Sequence, residues 1–242
     1  MSRKTYGTVR RSGKGNGVPR GWLKQLLPVI TVVLILCAAP RIQAYEPSAD
    51  AVIMTPTVTC RRTFAMDAAR EIWNRVLDNP CLMAEIWTSC GLQPLYTVTR
   101  TATGFHVSDS SGINGDFSQI DRSGNTRTFY GTGNFNHWAI PSFFTADGVI
   151  VLAYTGDGST LSGEAAVFMR GDNGISRLVM RLFSGILTRR VGNRIDSTLE
   201  NLETIMGDIA NEPRKVRDGL KGEARRDFDT VFSGMLISVP ER

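Results

Sequence analysis

The sequence predicts an α+β fold: a curved antiparallel β-sheet of about six to seven strands wrapped around one long C-terminal helix, with two short helices after the first strand. Three observations carry this. From Asp172 to Asn211 apolar residues recur at intervals of three and four, among them Ile175, Leu178, Leu182, Ile186, Val191, Ile195, Leu199, Leu202, Met206 and Ile209, which makes one stripe on a helix. From Leu95 to Arg170 the period falls to about two, with Gly, Asp, Asn and Ser between the runs. Two short helical segments lie between Asp67 and Gly91. A helix of this length runs roughly 50 Å, and its stripe needs a broad apolar surface. The concave face of a bent meander is the surface the chain offers.

Taken in order, Tyr45 to Met54 reads as a linker. Thr55 to Ala65 is a first strand with Val58, Cys60, Arg62 and Phe64 on one face. Asp67 is placed to cap a helix that carries Trp73 and stops at Asp78-Asn79-Pro80. A second helix, Leu82 to Cys90, carries Trp87 and ends at Gly91. Strands follow at Leu95–Ala102, from Phe105, at Asn114–Asp121, Thr126–Asn136, Val149–Thr155 and Gly163–Arg170. Gly131 and Gly133 point to a bulge or a close approach. In the long helix Gly174, Gly185 and Gly192 each cost about 1 kcal/mol relative to Ala, so a break is expected near Gly185 or Gly192. Residues 214–230 are dense in charge, and Phe228, Val231 and Phe232 share one side of a helix that docks on the body or stays mobile. The division is therefore 1–44 leader, 45–54 linker, 55–211 domain and 212–242 charged tail.

The leader dominates the charge. Residues 1–44 hold eight Lys or Arg and no acid; removing those eight from the chain's 28 leaves 20 basic side chains against 23 acidic, a net of −3. No basic patch in the body points to nucleic acid. The apolar run Leu26 to Pro40 has the length of a signal-peptide core rather than a spanning helix. The basic flank stays inside and the body is exported. Ala44 suits cleavage before Tyr45 and Ile42 does not. A soluble periplasmic body and one anchored in the inner membrane by an uncleaved N-terminal helix therefore both stand. Membrane contact is expected through that segment. In an exported chain a cysteine pair is expected, and Cys81 with Cys90 closes the shortest loop; three free thiols is the alternative. No second Cys or His stands at zinc-ligand spacing, so no metal site is expected.

The segments Phe64-Ala65-Met66-Asp67-Ala68-Ala69-Arg70-Glu71-Ile72-Trp73, Asp109-Ser110-Ser111-Gly112-Ile113-Asn114-Gly115 and Tyr130-Gly131-Thr132-Gly133, followed by the final helix, resemble the START-like superfamily. This helix-grip fold is shared by lipid-transfer domains, pollen allergens and polyketide cyclases. The resemblance spans roughly Thr55 to Ala210. It implies a cavity between sheet and helix that takes a hydrophobic ligand, such as a lipid, sterol, quinone or polyketide, with no cofactor; only some members are enzymes. The residues expected to line that cavity are Tyr96, Val98, Phe105, Phe117, Phe129, Phe135, Trp138, Phe143, Phe144, Tyr154 and Phe168, with Leu178, Leu182 and Ile186 from the helix. Arg62 and Arg100 share a face with apolar neighbours and are candidates for a ligand's polar end.

The loop Ile140-Pro141-Ser142-Phe143-Phe144 reads either as a lid or membrane contact or as an ordinary packed turn. His106 and His137 have no carboxylate beside them in sequence, so no catalytic residue is assigned. Nucleophile-elbow, phosphate-loop, dinucleotide and zinc-protease motifs do not occur. The leading expectation is an exported carrier or binder of a hydrophobic ligand. A cyclase-like enzyme on the same fold and a non-enzymatic envelope interaction protein are its rivals; no protein partner is indicated.

Overall fold

The computed structural model describes residues 48–110, 112–135 and 145–234, all within one compact unit, Ala44–Arg242. The leader, His137, Trp138 and the loop with Phe143 and Phe144 lie outside the described residues. The element order is α1 (Ala49–Met54), β1 (Val58–Met66), α2 (Arg70–Asp78), α3 (Pro80–Ser89), β2 (Tyr96–Arg100), β3 (Phe105–Asp109), β4 (Ile113–Ser123), β5 (Thr126–Phe135), β6 (Thr145–Gly156), β7 (Leu161–Gly171), α4 (Gly174–Leu182), α5 (Ser184–Asn211), α6 (Pro213–Gly219) and α7 (Gly222–Val231). The seven strands form one curved antiparallel sheet in the order β1-β7-β6-β5-β4-β3-β2. A meander from β2 to β7 closes on β1, and α5 crosses one face.

Strand parity fixes that face. Arg62 pairs with Ala165, Leu152 with Ala165, Phe129 with Ile150, Phe117 with Gly131, Phe105 with Phe117 and Val98 with Val107. Directly paired residues point to the same side, so these define the inner face. The outer face has a small core of its own, in which Val52 of α1 packs on Val149, Ala166 and Phe168. The six-residue α1 stands where the sequence read a linker. It is too short to show a period, and Ser48 caps it by accepting from the Ala51 N–H.

The inner face carries two separate cores. The larger one joins Met66, Trp73, Val76, Ile86, Trp87, Tyr154 and Leu161 to Ile205, Met206 and Ile209 of α5 and to Val216, Leu220, Phe228 and Phe232. Trp73 packs against Phe64 (5.6 Å) and edge-on to Tyr154 (5.7 Å). Each such aromatic removes about 150–250 Å² from water, roughly 4–6 kcal/mol as an upper bound. The smaller core holds Val58, Ala146, Met180 and Leu187.

Several expectations are settled or corrected. Of the two alternatives for the charged tail, its described part docks: Phe228 and Phe232 are completely buried in the main core, and Arg217 grips Asp229 at 2.5 and 3.0 Å. Asp67 caps nothing; the helix begins after Ala69, and the Asp67 N–H donates to Glu203. Cys81 and Cys90 are free thiols. They sit at the two ends of α3, where nine residues of helix separate their Cα atoms by about 13 Å, and a disulfide needs under about 7 Å. The bulge lies between Gln119 and Asp121, and at the glycines the close approach holds: a Cβ at Gly131 would strike the Phe117 ring and one at Gly133 the Asn114 carbonyl oxygen. The break expected near Gly185 is present, at Phe183.

Candidate ligand site between the sheet and the long helix

The long helix is gripped along both flanks. On the β1 side Arg62 Nε donates to both Asp196 oxygens at 2.9 and 3.1 Å. The Asp196 bond, with its charge, raises the Arg62 pKa further above its ordinary value. Gly192 makes this approach available: a Cβ there would collide with the Arg62 guanidinium. On the other flank Arg194 pairs with Asp109, whose carboxylate is completely buried, and its guanidinium stacks over Tyr96 at 5.3 Å. Asp109 also accepts the Ile113 N–H at 2.9 Å. Tyr96 Oη lies 3.4 Å from Thr198 Oγ1, and Asn201 donates to the Gln93 carbonyl at 3.0 Å. With Gly192 and Asp196 on one flank and Arg194 and Thr198 on the other, the helical repeat sets Val191 and Ile195 between them, over the sheet.

Beneath that stretch the inner face is apolar and only partly covered. Val98, Phe105, Val107, Phe117, Ile150 and Val167 are half-buried, and none belongs to either inner core. Ile150 and Val167 sit on strands with neighbours on both sides. A helix packed directly on them would bury them fully, so α5 stands off the sheet here. Phe105 stacks on Phe117 (6.1 Å, 15°) and meets Phe129 edge-on (6.3 Å, 72°). The result is a hollow with an aromatic floor and two ion pairs fixed at its rims.

The structure brings together Arg62, Tyr96, Val98, Phe105, Phe117 and Phe129 at this hollow. Phe135 takes the register position opposite Ile113, and its side chain is not among those described. Arg100 is exposed at the free edge of β2. Tyr154 shares the face but lies in the closed core, its hydroxyl donating to Asn74 at 2.6 Å; burial pushes its pKa up. Phe168 is on the outer face under α1, with the Arg61 guanidinium 5.4 Å above its ring. Leu178, Leu182 and Ile186 are 53%, 72% and 57% exposed and turn away from the sheet; Met180 and Leu187 take the inward positions instead. Ile150 and Val167 were legible by strand parity. The Arg194–Asp109 pair, 85 residues apart, left no mark in the sequence.

His106 faces outward and pairs with Asp116 at 2.8 Å. Among the described residues no group of three His, Cys, Asp or Glu is placed to hold a metal ion, and no helix is long and apolar enough to cross a membrane.

Sheet and gripping helix together make a helix-grip α+β fold. No protein-family model matches the chain, and no curated protein does. Among solved structures it is similar to a conserved protein from Geobacillus kaustophilus (9% identity, 63% of this chain and 97% of that one, TM-score 0.43). It is also similar to a hypothetical protein from Helicobacter pylori (7%, 69% and 98%, 0.45) and to CalU16 from Micromonospora echinospora (12%, 75% and 97%, 0.35). Identities this low say nothing of ligand or activity.

Proposed function

We propose that this protein binds or carries a hydrophobic molecule (a lipid, sterol, quinone or polyketide-like compound) in the hollow between β2–β7 and α5, and that it does so as an exported protein of the cell envelope. One observation carries the reading: Phe105, Val107, Phe117, Ile150 and Val167 face α5 and yet stay half-buried, outside both inner cores. Apolar surface left wet at the centre of a domain costs about 25 cal/mol per Å². A ligand that covered it would recover that energy, less the cost of its own immobilisation. Tyr96 and Arg194 stand at one rim and Arg62 at the other, where a polar end of the ligand would be oriented.

The rim groups also bear on enzymatic activity. Arg62 and Arg194 each hold a carboxylate, which favours a positioning role over proton transfer. The test is native mass spectrometry of the purified full chain with solvent extraction of bound lipid. A co-purifying apolar compound near one to one supports carriage and gives its class. A protein that emerges empty and takes up no member of a lipid, sterol and quinone panel overturns the reading.

A further inference from the structure

The outward side of α4 and the start of α5 carries a surface the hollow does not use. The hydrogen bonds Phe183 N–H to Val179 O (3.0 Å) and Leu187 N–H to Phe183 O (2.9 Å) carry the helical repeat across the break. Leu178, Leu182 and Ile186 therefore fall in one line at i, i+4 and i+8, and all three are more than half exposed. Arg181 lies beside Leu178 and Leu182, and Arg189 beside Ile186; both are exposed. From Gly174 to Ile195 the chain has five Arg and no Asp or Glu, whereas from Asp196 to Glu212 it has five acids and no Lys or Arg. The exposed apolar row therefore lies wholly within the basic half of the helical segment.

We propose that this face, α4 with the first turns of α5, docks on an anionic lipid surface. An aliphatic row flanked by arginines on a helix lying along the protein is the composition of an interfacial helix. The aliphatic groups enter the headgroup boundary while the guanidiniums meet lipid phosphates. A protein partner would be expected to find aromatic anchors at the centre of such a patch, and this row is Leu and Ile alone. The acidic second half of α5 limits the contact to the first half and tilts the body so that its far end leans away from the bilayer. The proposal does not depend on what fills the hollow.

The test is hydrogen–deuterium exchange of the full chain reconstituted with vesicles of phosphatidylcholine alone or phosphatidylcholine mixed with phosphatidylglycerol, read over residues 174–190. Reading that segment separates the docking face from any insertion of the leader. Exchange there is expected to slow on the anionic vesicles only. The paired variant Arg181→Gln with Arg189→Gln should weaken the protection about fivefold per arginine, and Leu182→Ser with Ile186→Ser should remove it. Both pairs should keep the wild-type melting temperature, since the replaced side chains are exposed. Equal exchange on the two vesicle types, or protection unchanged in both variants, overturns the proposal. Protection that appears without lipid and grows with protein concentration overturns it in favour of a second copy of the chain.

Discussion

Two regions along the inner face, one end and the middle, are packed differently. At the closed end Trp73, Trp87, Tyr154, Phe228 and Phe232 are almost wholly removed from water. Across the middle Phe105, Phe117, Val107 and Ile150 remain half-wet. What lies above the strands separates them. The closed end is roofed by α2, α3, the second half of α5, α6 and α7, so each aromatic meets several elements. The middle is roofed by one helix held at its rims by Arg62–Asp196 and Arg194–Asp109. Two polar clamps hold that helix, and the apolar floor beneath it stays partly exposed. In this molecule a candidate site is recognised by which apolar residues go uncovered.

The largest expected effect comes from pulling apart the closed end. Phe228→Ala empties a completely buried position and should cost about 3–5 kcal/mol in urea unfolding. Phe105→Ala in the hollow should cost less than half as much and should reduce ligand uptake. Equal losses at the two positions would erase the distinction between closed core and hollow. Next in size is the clamp. Arg194→Met removes the cation from a carboxylate that has no exposure, and about 3 kcal/mol should be lost at pH 7. The loss should shrink in an Asp109→Asn background, where the carboxylate facing residue 194 is gone. A loss that stays the same in that background would mean that the packing of Arg194 on Tyr96, and not its charge, holds the helix.

Much of this architecture was legible in the sequence because it follows from period. Alternation placed Arg62, Val98, Phe105, Phe117 and Phe129 on one face, and strand pairing keeps them there. The helical residues were harder. Leu178, Leu182 and Ile186 satisfy the same three-and-four spacing as Met180 and Leu187, and a spacing does not say which side of a helix meets the sheet. That is decided by the break at Phe183 and by Gly192 letting β1 come close. Phe168 belongs to an alternating strand apolar on both faces, and only α1, unseen in the pattern, shows why. In the tail the shared side of Phe228 and Phe232 was legible, and their burial decides that this helix docks. The cysteine pair failed on geometry: nearness in sequence is distance along a helix.

The outer-face core offers a smaller test. Asp147 is buried there; its Oδ1 accepts from the Tyr130 hydroxyl at 3.1 Å, and its Oδ2 has no hydrogen-bond partner among the described residues. Burial raises its pKa. A carboxyl whose folded pKa lies above its unfolded value stabilises the fold below the unfolded pKa, and that contribution is lost as pH rises through the folded pKa. Asp147→Asn keeps an acceptor for Tyr130 and removes the charge. The variant should gain stability at pH 7, and the gain should shrink as pH falls toward the ordinary carboxylate range, read as a shift in urea midpoint. A gain that does not shrink would assign the effect to packing. Either result leaves the inner face untouched, which makes it a control for the two tests above.

The smallest expected change in stability is the sharpest test of the hollow. Ile150→Phe adds a ring to the floor beneath α5. If that space is open, the ring enters it without displacing a neighbour, and stability should move by less than about 0.5 kcal/mol. Ile205→Phe makes the same substitution in the closed core, where Ile205 has no exposure. Forcing extra volume into a packed position should cost about 1–3 kcal/mol. The pair therefore compares one chemical change in two roofs. Ligand uptake should fall for Ile150→Phe, because the ring takes volume a ligand would use, and should be unchanged per folded molecule for Ile205→Phe. If both variants lose the same stability, the middle of the sheet is as tightly packed as its end. The half-exposure of Ile150 would then be shallow surface, and the carrier reading would have no room for its cargo.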